Sequence, residues 1–238
     1  MPGRRRKCIF ILIVSLIVVP LAWLLSQYDI FESPDLDKVK AEKPVIISRS
    51  EWGARPLDPD APQEYGIYDP EANPEGIFIY NEDLKDVLNT IVIHHSAYSG
   101  AGPTDIQNLH KDGRGFADVG YHFMIDSEGI IYEGREINIR GAHVQGFNNG
   151  SVGIVLLGNF NEDEPSKTQL TSLWKLVDTL RTTYDIHYLA GHRDYPNQSP
   201  DGTECPGDNL YPLLQGQARE MGLKYGIEGY EPPEPAPH

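Results

Sequence analysis

Apolar and polar positions along the 238-residue chain change period several times, and each change marks an element. Cys8–Leu25 is a run of 18 residues without a charge. As a helix rising about 1.5 Å per residue it spans roughly 27 Å, near the thickness of a hydrocarbon core, and predicts a transmembrane segment. Residues 26–44 are polar, with Pro34 and Pro44, and read as a linker. Ordered structure is expected from Val45-Ile46-Ile47. Leu57–Asn89 carries nine acidic residues against Lys85 alone and is broken by Pro59, Pro62, Pro70 and Pro74. It reads as an acidic surface excursion, a solvated cover with a short strand at Ile77–Tyr80. Thr90–His94 is apolar and β-branched, a strand, and Thr104 with Gln107 has the capping-box spacing of a helix that runs to Gly113. Tyr121–Ile125 and Ile130–Glu133 flank a turn at Gly129, a hairpin, and Val152–Leu157 is a further buried strand. Ser166 and Gln169 open a second helix whose Leu170, Leu173, Trp174, Val177 and Leu180 share one face. His187–Ala190 predicts a strand and Leu210–Met221 a last helix closed by Gly222. The fold class is therefore α/β: one domain over residues 45–223, a central mixed β-sheet flanked by about three helices, preceded by the transmembrane helix. Residues 224–238, with Pro232, Pro233, Pro235 and Pro237, read as a disordered tail.

Composition narrows what such a domain does. With 39% hydrophobic and 23% charged residues the chain can build one sizeable core. A net charge of −15 excludes nucleic acid as a partner bound through its phosphates, which needs a basic footprint. The basic cluster Arg4, Arg5, Arg6 and Lys7 precedes the apolar run, so residues 1–7 are expected in the cytoplasm and everything after Ser26 outside. No small-x-small site follows Leu25, which favours an uncleaved anchor over a cleaved signal; cleavage would make the protein secreted. Nothing in the pattern asks for a partner chain, and a monomer is expected. The two cysteines, Cys8 and Cys205, fall on different sides of this topology and cannot pair. A lone exported thiol is then either buried or employed.

Candidate chemistry gathers at predicted strand ends. His94 ends one strand, His192 follows another, and Cys205 lies 13 residues on in a loop. Two imidazoles and a thiolate are zinc donors, and three protein ligands leave the fourth tetrahedral position that catalytic zinc sites keep. Spacing alone leaves a second reading standing, that these are packed core residues. Neighbours on a strand point to opposite faces, so only one of His94 and His95, and one of Tyr121 and His122, can face a common site. For His95 and His122 the alternative is core packing or hydrogen bonding behind the site. His110 is read as dipole-stabilised at a helix C-terminus, His187 as structural and Asp194 as a strand-end support.

These residues sit in an ordered series of motifs: Ser48-Arg49-Ser50-Glu51-Trp52-Gly53, His94-His95-Ser96-Ala97, Gly120-Tyr121-His122-Phe123, Tyr132-Glu133-Gly134-Arg135, Gly141-Ala142-His143 with Asn148, Ser151-Val152-Gly153-Ile154, Gly191-His192-Arg193-Asp194 and Thr203-Glu204-Cys205-Pro206. The series resembles the zinc-dependent N-acetylmuramoyl-L-alanine amidases that include peptidoglycan recognition proteins and a phage amidase-lysozyme. The resemblance runs from about Ile46 to about Gly222. It implies one zinc per chain held by His94, His192 and Cys205, catalytic roles for Tyr121 and Thr203, and a peptidoglycan or muropeptide substrate lined by His95, Phe116, His143 and Asn148. It also implies hydrolysis of the amide between N-acetylmuramic acid and L-alanine, in cell-wall turnover or remodelling. Val155 stands where cytosolic relatives place a glutamate, which argues against a glutamate-based mechanism. The rival reading is a non-catalytic peptidoglycan receptor of the same fold, in which the cysteine ligand is typically replaced.

Overall fold

Thr90–His95 (β2) is buried at all six positions. A strand with no solvent face needs hydrogen-bonding neighbours on both edges and cover on both faces. It has parallel partners on both sides, Ser151–Leu156 (β5) and Tyr188–Gly191 (β6). The computed structural model describes residues 43–64, 79–196 and 202–227, and in it β2 is the fifth strand of a seven-stranded sheet. The others are Ile46–Ile47 (β1), Phe123–Ile125 (β3), Ile131–Glu133 (β4) and Lys224–Tyr225 (β7). The order is β1-β4-β3-β5-β2-β6-β7. Only β3 and β4, joined by a turn with Gly129 at φ 83°, run antiparallel, so the sheet is mixed, as expected.

Lys167–Tyr184 (α3) covers one face. Its start is fixed by Ser166, whose hydroxyl accepts the Gln169 N–H at 3.0 Å, and its Leu170, Leu173, Trp174, Leu176, Val177 and Leu180 are buried. With Tyr211–Glu220 (α4) it packs on Ile91, Ile93, Val152, Ile154 and Leu156. Strand alternation turns Val92, His94 and Val155 to the opposite face, where Val144, Val119 and Ile106 cover the sheet. That second face carries the cluster described below.

Two more helices complete the four seen among the described residues, one beyond the three expected. Leu84–Val87 (α1) lies inside the stretch read as acidic cover, capped by Asp83, which accepts the Lys85 N–H at 3.0 Å. Pro103–Asn108 (α2) is capped two residues before the predicted box. Its cap is Gly102, whose N–H is taken by Asp105 at 2.9 Å, and it runs on as a wider π-turn over Leu109–Gly113. Gln107 is instead buried and bonded to both Arg55 backbone groups and to Asp118. β7 pairs with β6 and carries regular structure past residue 223, into the stretch read as tail. The anchor at 8–25, the linker up to residue 42 and residues 228–238 lie outside the described residues. Among those described, no helix is long and apolar enough to cross a membrane.

The acidic excursion is more than a solvated cover. Ala61 and Glu64 are buried, and Ile79 bridges Ile139 within the expected strand. Glu64 grips Arg135, itself 1% exposed, with both carboxylate oxygens at 2.7 and 2.9 Å and also takes the Ala117 N–H. Arg135 spends its other donors on the carbonyls of Val119 and Arg140. Removing one member of a buried pair strands the other charge, at a cost of about 3–5 kcal/mol. Glu64→Ala is therefore expected to lose about that much stability in urea denaturation; a loss below about 1 kcal/mol would return this stretch to a surface role.

Candidate metal centre

Three segments converge on the face of the sheet away from α3: the end of β2, the 3₁₀ turn His192–Asp194 that follows β6, and the loop around Cys205. Asp194 holds the turn, taking the Gly191 N–H at 2.7 Å and the Tyr211 hydroxyl at 2.5 Å. The Cys205 loop is tied to that turn by Arg193, whose N–H donates to the Cys205 carbonyl at 2.9 Å and whose guanidinium pairs with Asp208 at 2.8 Å. Thr203 Oγ1 accepts the Cys205 N–H at 3.2 Å.

These supports bring ligand atoms of His94, His192 and Cys205 within 4.8 Å of one another. Cys205 Sγ is 3.6 Å from His94 Nδ1, and the His94 and His192 rings are 4.7 Å apart between centroids. Tetrahedral zinc, with Zn–N about 2.0–2.1 Å and Zn–S about 2.3 Å, places such donors roughly 3.5 Å apart. The residue types and the spacing fit that ion. Burial holds the His94 imidazole well below its usual range, the neutral form a metal ligand requires. Burial pushes the Cys205 thiol up to about 12. A dication beside it would reverse that preference, and the His95 N–H, aimed at Sγ from 3.4 Å, already supports a thiolate.

The remaining candidates divide around this group. The Tyr121 ring lies 5.0 Å from His94, and burial raises its hydroxyl above the ordinary range, with Cys205 adding to the shift. Tyr121 and His122 precede β3 yet continue its ladder, since His122 N–H bonds Gly153 at 2.9 Å and Arg135 N–H bonds Tyr121 at 2.8 Å. The His122 ring packs edge-on against the His143 ring, 5.9 Å away, on the same face of the sheet. Its Nδ1 accepts the Gly153 N–H at 3.0 Å and its Nε2 meets the Ile139 carbonyl at 3.0 Å. His95 faces the α3 side, where its Nδ1 accepts the Phe160 N–H at 3.2 Å. Phe116 packs on His110 at 5.4 Å, and His110 in turn on Tyr121 at 5.3 Å. Asn148 Oδ1 accepts the N–H groups of His143 and Val144, both at 2.8 Å. His143 reaches the cluster itself, its Nδ1 3.1 Å from His94 Nε2.

Two histidines differ from expectation. His110 is no helix-end cation: it is buried, accepts the Gly120 N–H at 2.9 Å and is pushed down to about 3 by desolvation. His187 is exposed, 3.8 Å from Asp185. Residues that sequence reasoning passed over are Glu64, and Ser151 and Arg135 as more than parts of a motif. Glycines within strands were the one readable signal, since they mark close approach of another group.

Fold and cluster together define an α/β domain bearing a His2Cys group of zinc-ligand type. The chain belongs to the N-acetylmuramoyl-L-alanine amidase and peptidoglycan recognition protein family. The family's sequence pattern, described as N-acetylmuramoyl-L-alanine amidase, matches residues 84–208. Peptidoglycan-recognition protein SC2 of Drosophila melanogaster is 33% identical over 174 residues, 70% of this chain and 82% of its own length. The endolysin amidase LysCS of Clostridium intestinale superposes with a TM-score of 0.57 at 32% identity, covering 77% of this chain and 99% of that one. The ectodomains of peptidoglycan recognition proteins LCa and LCx, solved bound to tracheal cytotoxin, superpose at 0.56 with 28% identity, over 72% and 95%. A peptidoglycan-related function follows.

Two buried histidines outside the cluster set a pH dependence. His110 and His122 have pKa values lowered by burial to about 3 and about 4, from 6.5. The unfolded chain then binds protons that the folded one refuses, so their contribution is full above pH 6.5 and is lost as pH falls toward the folded values. Each adds about 1.4 kcal/mol per pH unit to the slope. Metal-stripped protein should lose stability between pH 6 and 5, and His110→Gln should lower that slope by about one proton; an unchanged slope would count against this origin.

Proposed function

We propose that this protein is a zinc-dependent N-acetylmuramoyl-L-alanine amidase that cleaves the amide between N-acetylmuramic acid and the L-alanine of the stem peptide. The observation that carries the reading is the approach of His94, His192 and Cys205 donor atoms to within 4.8 Å, with Tyr121 against them. His94, His192 and Cys205 hold the metal. Zinc, when bound, supplies a nucleophile at neutral pH and polarises the scissile carbonyl. Tyr121 keeps its proton at neutral pH because burial raises its pKa, and that proton is donated to the oxygen that becomes the oxyanion. Thr203 already accepts the Cys205 N–H, and its hydroxyl proton is the second donor. Val155, paired in register with His94, puts an aliphatic side chain where a carboxylate base would stand. Cys205 supports the enzyme over the receptor reading, since the receptor needs no thiolate ligand.

Metal analysis of purified protein should find one zinc per chain, lost in the Cys205→Ser, His192→Ala double variant. Digestion of purified peptidoglycan should release stem peptides with free L-alanine amino termini, identified by mass spectrometry. Tyr121→Phe should keep zinc and fold yet lose about 100-fold or more in rate. Binding of peptidoglycan without any new ends would overturn the enzyme and leave a receptor.

The proposal includes an address. A single-pass anchor at residues 8–25 with the domain outside the cytoplasmic membrane would confine the protein to cell wall within reach of the linker. Fractionation with N-terminal sequencing should find the predominant form in the membrane with residue 1 or 2 first. A soluble form starting after Ser26 would instead mean a diffusing protein.

A further inference from the structure

We propose that His143 is a positioning residue for the metal ligand His94, its Nδ1 accepting the His94 Nε2–H so that the His94 Nδ1 lone pair is held toward Cys205 and His192. The inference rests on the zinc reading above and gives His143 a partner inside the cluster rather than on the substrate.

Three features build the contact. The first is space. Gly153 lies in β5 opposite Val92, on the face that carries His94, and a Cβ there would sit 2.5 Å from His143 Cδ2. A Cβ on Gly141 would meet the same atom at 2.5 Å. Neither glycine has positive φ, so their backbones would accept alanine; at Gly153 only the His143 imidazole forbids it, and at Gly141 His122 Cε1, at 2.9 Å, joins it. A glycine in a strand interior marks close approach of another group, and here that group is the His143 ring. The second is the backbone anchor: Asn148 Oδ1 fixes the N–H of His143 and of the next residue, both at 2.8 Å.

The third is the direction of the hydrogen bonds. A neutral imidazole has one donor and one acceptor nitrogen. Metal ligation through His94 Nδ1, the nitrogen 3.6 Å from Cys205 Sγ, puts the proton on Nε2. Nε2 lies 3.1 Å from His143 Nδ1, which must then accept, leaving the His143 proton on its own Nε2. That proton points at Ser151 Oγ, 3.5 Å away. Ser151 spends its hydroxyl proton on the Phe147 carbonyl at 2.9 Å or the Asn148 carbonyl at 3.1 Å, so its oxygen is free to accept. Every donor along Ser151, His143 and His94 thus has an acceptor, and one polarity of the chain presents a lone pair to the metal. Partners behind a ligating histidine typically change metal affinity by about 10–100-fold when removed.

The test is zinc affinity of the full-length protein, read by competition with a chromophoric chelator, with folding checked by thermal melts. His143→Ala should weaken zinc about 10–100-fold. His143→Asn should restore most of the affinity, because its Oδ1 stands near the place of Nδ1; His143→Gln, whose amide reaches past that place, should not. Gly153→Ala, which leaves all three ligands and His143 in the chain, should weaken zinc by displacing the ring. Wild-type affinity in His143→Ala, or equal affinity of the Asn and Gln variants, would overturn the inference while the zinc reading stands. Failure of the wild-type protein to bind zinc at all would overturn both.

Discussion

The cluster depends on β2 being closed on every side. Paired along both edges and covered on both faces, the strand delivers His94 to a position where its side chain is fully buried. An imidazole there must be neutral and must find a partner for each nitrogen, or it costs the fold a stranded polar group. Nδ1 finds the thiol of Cys205 and Nε2 finds His143. The same constraint explains why the neighbouring position differs so much. One residue along, His95 points to the other face, and its ring is used to tie the Phe160 backbone under the core. Two adjacent histidines thereby take unrelated roles from the two-residue period of a strand.

What the sequence made legible was what local period decides. The apolar run of β2, the one-faced pattern and Ser166 cap of α3 and the turn at Gly129 all follow from residues within a few positions of each other. His94, His192 and Cys205 stood out by residue type, but spacing alone left them open to a core reading, and the ordered motifs around them singled them out. What escaped was set by residues distant in the chain. Glu64 and Arg135 are 71 positions apart, and an isolated glutamate beside prolines carries no sign of a buried guanidinium. His110 obeyed no helix-end rule because Gly120, brought in by the fold, supplied an N–H and removed the water. α2 was capped at Gly102 since Asp105 reached back to its N–H, while Gln107, the expected box partner, was drawn inward by Arg55 and Asp118.

The acidity of the chain poses a last physical question, because a carboxylate close to His94, His192 and Cys205 would add a fourth ligand and close the site. The buried carboxylates Glu64 and Asp118, and Asp194 in the turn that carries His192, are each committed elsewhere. Asp118 pairs with Arg49 at 2.8 Å and Glu64 with Arg135 at 2.7 Å, while Asp194 is held by Gly191 and Tyr211. On the sheet itself the neighbours of His94 are Val92 and Val155. Among the described residues the candidate metal-ligand group therefore stops at three, two imidazoles and one thiol. A zinc held by these three residues would keep its fourth tetrahedral position for water or substrate, which is what separates an open zinc site from a closed structural one. The Glu64–Arg135 pair also ties Val119 and Arg140, which precede Tyr121 by two residues and His143 by three.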